Sequence, residues 1–234
     1  TPDAARRQAE RDALAKLNEL KRKMGEALEA TATGHALQSQ IRMDLTPEGL
    51  RVQIVDDRNR PMFDLGSAIV KDYMREILRE MGKVLNTVDY RITLSGHTDA
   101  KGYAQGERGY SNWELSADRA NASRRELIAG GMDESKIVRV VGAGSAVNLN
   151  KDDPNDPINR RISIIVMNKE TERRVFRELG TPATAGDATQ LEEKLPQPGA
   201  AGEEGSAAST AERPADAARE SGRNRGRRAA EENG

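Results

Sequence analysis

Between residues 94 and 120 the chain has little freedom in what it can build. Leu94-Ser95-Gly96-His97-Thr98-Asp99 reads as the end of a strand running into a loop. Ser111 and Glu114 form an S-x-x-E capping box, which sets the start of a helix running through Asn112-Trp113-Glu114-Leu115-Ser116-Ala117-Asp118-Arg119-Ala120. Gly130-Gly131 closes that helix. The connection over residues 97–112 spans 16 positions, a length that marks functional or disordered segments. Asp99 stands at its entrance and Arg119 lies about two turns into the helix. Taken singly, Asp99 also suits an Asx-turn and Arg119 a solvated helix face. Together they can hold a zwitterion, carboxylate to ammonium and guanidinium to carboxylate. That points to a pocket for an amino-acid-like group rather than a reaction centre.

The flanking segments supply the frame. Leu50-Arg51-Val52-Gln53-Ile54-Val55 alternates as a strand, and Tyr90, Ile92 and Leu94 alternate in a second. Between them, Ile69, Val70, Tyr73, Met74, Ile77, Leu78, Met81, Val84 and Leu85 fall on one helical face, with Ser67 as the expected cap. Residues 137–141 are apolar at nearly every position and read as a third, central strand. Residues 161–167 form a fourth, with Ile162, Ile164 and Val166 on one face, and residues 173–179 a short last helix. The expected class is α+β, a β-α-β-α-β-β two-layer sandwich with helices on one face of a mixed sheet.

Residues 2–30 read as an amphipathic helix, with Leu14, Leu17, Met24 and Leu28 near helical spacing. The series Ala13, Leu17, Leu20, Met24, Ala27 also steps by four and three. The stripe therefore suits packing on the following domain or on a second copy of itself. After Leu179 the only large apolar residues are Leu191 and Leu195, so residues 180–234 are expected to be a disordered tail. The domain limits that follow are 1–35 for the N-terminal helix and linker, 36–179 for the folded domain and 180–234 for the tail.

Several chemistries are disfavoured. The net charge of −1 offers no general field for nucleic acid. The basic run 223–228 is offset by Glu231 and Glu232 and lacks an aromatic residue to stack bases. The glycine spacing at 102, 106 and 109 is not a dinucleotide or P-loop pattern. A zinc hydrolase needs about three protein ligands. His35 and His97, the only two histidines, have no ligand spacing. Glycosidase chemistry needs two facing carboxylates, and nothing sets the separation of Asp99 and Glu107. There is no cysteine, and no run of about 18 apolar residues to cross a membrane. The chain begins at Thr1 rather than Met, and is expected to be a fragment or mature product whose targeting or membrane segment lies outside it.

Gly96-His97-Thr98-Asp99 after a strand, the N-x-x-L-S-x-x-R-A run over 112–120 and Asn159-Arg160-Arg161 on the last strand resemble the OmpA-like peptidoglycan-binding family. Order and spacing agree across residues 50–168. Within it, the runs 59–63, 109–127 and 158–163 are similar to the wall-anchoring subunits of flagellar motor stators. The resemblance implies a non-catalytic periplasmic domain of a single-pass inner-membrane protein, without a cofactor. It implies a homodimer that engages a torque-generating stator partner through a membrane segment missing from this chain. It implies Thr98, Asp99, Asn112, Leu115, Ser116, Arg119, Asn159 and Arg160 as peptidoglycan-binding residues. Asp99 accepts from the ammonium of a diaminopimelate stem, Arg119 donates to its carboxylate, and Thr98 and Asn112 add neutral hydrogen bonds. Arg160 meets other carboxylates or sugar oxygens of the wall. The alternatives are a cell-wall hydrolase or another OmpA-like wall-anchoring envelope protein. Limited proteolysis is expected to trim the tail first and leave a resistant core near 36–179; a resistant product retaining residues 200–234 contradicts this reading.

Overall fold

The computed structural model describes residues 2–102 and 109–180. The expected tail, from residue 181 on, lies outside the described residues, as do Gly106 and Glu107 of the long loop.

β5 (Arg161–Met167) lies in the middle of the sheet and is buried at nearly every position, with Ile162, Ile164 and Val166 on the helix-bearing face. β5 pairs antiparallel with β2 (Gly49–Val55) on one side and with β3 (Ile92–His97) on the other. β1 (Ile41–Thr46) forms a hairpin with β2, Thr46 facing Gly49. β4 (Ile137–Gly142) runs parallel to β3, giving the order β1-β2-β5-β3-β4. Two helices, α3 (Asp72–Asn86) and α4 (Asn112–Ala129), lie on one face. They bury Met74, Ile77, Leu78, Met81, Leu85, Ala122 and Leu127 against the strands. From β2 onward this is the expected β-α-β-α-β-β order. β1 precedes it and was absent from the expectation, although Ile41, Met43 and Leu45 alternate ahead of a Pro47-Glu48-Gly49 turn.

Three local expectations are corrected. The strand at 137–141 is an edge, not a centre. Its apolar run serves α4 on one face, whereas Val141 remains 36% exposed. Ser67 does not cap α3. Residues 63 to 70 fold back on themselves through a Phe63–Val70 bridge, the Ser67 hydroxyl accepts from Ile69 N, and the helix begins after Lys71. Ile69 is consequently 59% exposed rather than on a buried stripe. The last helix, α5 (Lys169–Glu178), starts earlier than expected because the Asn168 side chain caps it by accepting from Thr171 N.

The N-terminal stripe packs on its own domain. α1 (Pro2–Glu29) buries Leu17, Leu20, Met24 and Leu28 in the same core as α3 and β2. Leu14 is 51% exposed, and residues 3–12 are exposed throughout. A short helix α2 (Ala32–Ala36), capped by Thr31, turns the chain toward β1. Among the described residues no helix is long and apolar enough to cross a membrane. Leu20→Ala or Met24→Ala should each cost about 2–5 kcal/mol in urea unfolding, the range for an emptied core site. Leu14→Ala should stay within about 0.5 kcal/mol. Equal effects at all three positions contradict this packing.

Candidate functional site

The site forms where β3 ends and α4 begins. Gly96 lies so close to α4 that a Cβ there would stand 2.1 Å from Ser116 O, so only glycine admits the helix. Thr98 N donates to Gly144 O at 2.8 Å. The Thr98 hydroxyl is buried and has no partner among the described residues. Asp99 follows, also buried. Asn112 reaches back across the mouth of the long loop, its Nδ2 donating to Lys101 O at 2.9 Å and Asp99 O at 3.3 Å. The expected capping box is present, with Ser111 and Glu114 each bonding the other's segment. The hydrogen bond from Ser111 holds the Glu114 carboxyl below its usual range.

Asp99 does not stand alone. Arg160, at the entry to β5, donates from Nη1 to Asp99 Oδ2 and from Nε to Asp56 Oδ2, each at 2.7 Å. Asp56 follows the end of β2, and its Oδ1 accepts from Met62 N at 2.7 Å. Arg119 is buried on α4, donates from Nε to Ser67 O at 2.9 Å and lies 4.9 Å over the Phe63 ring. Its two terminal nitrogens have no hydrogen-bond partner among the described residues. Two carboxylates and two guanidinium groups thus share one partly dry place. Burial pushes the Asp56 carboxyl up, against the opposing pull of Arg160, the Met62 amide and Arg119. Burial pushes Arg119 down, with Asp56 acting against it. For Arg160, burial acts downward, but the hydrogen bonds to Asp56 and Asp99 outweigh it and raise the group.

The remaining expected residues occupy different places. Leu115 is buried on the first turn of α4. Ser116 is fully buried: its hydroxyl donates to Trp113 O and accepts from Gly144 N, both at 2.9 Å. Asn159 is fully buried too, accepting from Asn150 N and donating to Asn150 O and Asp153 O. These two brace the loops around the charged cluster. Arg160, expected to meet the wall, meets the protein's own Asp56 and Asp99. Asp56, Phe63 and the Ser67 carbonyl were not anticipated. An acid just past a strand end, as Asp99 is, was the available signal for Asp56.

His97 closes β3 half-buried, with Nε2 3.2 Å from Ser95 Oγ and Nδ1 buried without a partner among the described residues. Burial, with help from Arg161, lowers its pKa from 6.5 to about 4. A base with a depressed folded pKa contributes stability that is complete above the unfolded value and is lost as pH falls. Denaturant unfolding should therefore show a loss between pH 6.5 and about 4. His97→Gln should flatten that part of the curve, and an unchanged curve in this variant contradicts the assignment.

A family model for the OmpA family matches residues 62–161. Motility protein B of Escherichia coli K12 is 52% identical over 163 residues, 70% of this chain and 53% of that protein. A protein of the same organism described as a truncated flagellar export/assembly protein, LafU, is 37% identical over 144 residues, 62% of this chain and 67% of that protein. The chain spans about half the length of the curated motility protein B sequences it matches. A crystal structure described as a MotB-like protein from Desulfovibrio vulgaris shares the fold, with a TM-score of 0.57 at 17% identity over 68% of this chain and 98% of that one. The chain belongs to the motility protein B family, and residues 62–161 carry its OmpA-family domain.

Proposed function

We propose that this domain is a non-catalytic anchor that ties a flagellar motor stator to the cell wall by holding the diaminopimelate-bearing stem peptide of peptidoglycan. The carrying observation is the charged cluster of Asp56, Asp99, Arg119 and Arg160 at one strand end. The free end of diaminopimelate is an amino-acid zwitterion. Arg119 has its Nε committed to Ser67 O, which leaves its outer nitrogens to fork onto a carboxylate. Asp99 and Asp56 each spend one oxygen on Arg160 and retain lone pairs for an ammonium. The unpartnered Thr98 hydroxyl and the Asn112 amide complete the neutral contacts. Among the described residues the cluster pairs carboxylates with guanidinium groups, an arrangement that suits binding of a zwitterion.

The same reading places the domain in the periplasm as part of a homodimer. MotA is its stator partner, engaged through an inner-membrane segment outside this chain, and the folded unit is 36–179 together with the part of α1 that shares its core. It rests on relatedness to motility protein B rather than on the geometry of the cluster.

Purified wall sacculi in a pull-down test the mechanism, with circular dichroism confirming the fold of each variant. Asp99→Asn and Arg119→Ala should each weaken binding by about thirtyfold or more, as expected for a truncated interfacial charge worth roughly 2–5 kcal/mol. Arg119→Lys should also bind poorly, because an ammonium cannot form the two-pronged contact. Unchanged binding by both folded variants, Asp99→Asn and Arg119→Ala, would falsify the zwitterion clamp.

A further inference from the structure

Trp113 is 57% exposed on the first turn of α4, next to Asn112. Its ring is nonetheless held. A Cβ on Gly144 would stand 3.3, 3.4 and 3.6 Å from the indole Cδ2, Cε3 and Cε2. Cδ2 is the ring-fusion carbon, with all three of its bonds in the ring plane, so a group nearest to it must lie over a face. Gly144 therefore backs one face of the indole and leaves the other to solvent. Its φ of +51° and the tight spacing both favour glycine there. Gly144 is itself fastened to the site: its carbonyl accepts from Thr98 N at 2.8 Å, and its amide donates to Ser116 Oγ at 2.9 Å. The exposed Val147 and Leu149 follow in the same loop. A flat, rigid, apolar surface thus lies one residue contact away from the charged cluster.

We propose that the open face of Trp113 is a platform for a sugar ring of the glycan strand. This rests on the stem-peptide reading above. The stem is covalently joined to the glycan, so a domain that grips the stem brings a sugar within a few residues' reach. One face of a pyranose ring presents C–H groups, which suit the electron-rich face of an indole. The ring is already ordered by Gly144, so little conformational freedom is lost on contact. Ser116, which has no surface of its own, acts here as a positioning residue through Gly144.

Trp113 is the only tryptophan in the chain, so its emission reports the contact directly. Two probes separate the subsites: a diaminopimelate tripeptide, and the same tripeptide carrying its disaccharide. The disaccharide form should bind roughly three- to tenfold more tightly, the range of one aromatic contact. It should also change Trp113 emission, whereas the bare tripeptide should not. Trp113→Ala should reduce its affinity to that of the tripeptide, and Trp113→Tyr should restore part of it. Equal affinities of the two probes, or unchanged emission on binding the disaccharide form, overturn the platform. So does an altered sedimentation of Trp113→Ala with unchanged ligand affinity, which assigns the face to a second copy of the chain. If neither probe binds, the stem-peptide reading fails. Glycan strands stripped of peptide then decide the platform alone, and unchanged emission with them overturns it as well.

Discussion

One guanidinium organises this end of the molecule. Arg160 holds a carboxylate from each of two strand ends, Asp56 after β2 and Asp99 after β3, and its own carbonyl accepts from Asp56 N at 2.9 Å. Three segments far apart in sequence are thereby pinned at a spacing of one side chain. Ion pairs this dry are a poor source of net stability, because desolvation offsets most of the attraction. Their effect is geometric. Once Arg160 is placed, the two acids are placed, and Arg119 on α4 faces a charge pattern that it neither created nor can relax by rotating. The Phe63 ring beneath Arg119 and the Ser67 carbonyl beside it set its direction.

Much of the frame was legible because two periods carry it. Alternation exposes β2, β3 and β5, and the 3.6-residue period exposes α4 and most of α3. The failures have separate physical causes. The run at 137–141 looks buried on both faces, but apolar content alone does not distinguish a central strand from an edge strand that a helix covers. Ser67 looks like a cap because its hydroxyl does cap something, a tight turn four residues before the helix. Of the site, Asp99 and Arg119 could be named from charge and position, since both flank one loop. Asp56 could not be joined to them, because its link runs through Arg160, 104 residues away. The Ser67 carbonyl is backbone and carries no residue-type signal at all.

The family's motif letters prove to be of two kinds. Thr98, Asp99, Arg119 and Arg160 place polar groups in or beside the charged cluster. Ser116 and Asn159 have no accessible surface, and their polar atoms are taken up in tying loops together. A motif therefore records loop-bracing residues and residues of the charged cluster in the same alphabet, and the hydrogen bonds already made separate them, since Thr98, Asp99 and Arg119 are buried as well. The N-terminal helix makes a similar point. Its stripe suited either a partner helix or its own domain, and Leu17 to Leu28 are satisfied within the chain.

The edge position of β4 has a colloidal consequence. Its outer rim pairs with no other described strand, and Arg139 is the only charge along Ile137-Val138-Arg139-Val140-Val141-Gly142. A rim of that composition is a template on which a further strand can add. Arg139 is also drawn toward Glu178 of α5, at 3.5 Å, which partly neutralises the one repellent group. The β4 rim thus carries a single guanidinium against strand addition, at the opposite end of the sheet from the other edge strand, β1.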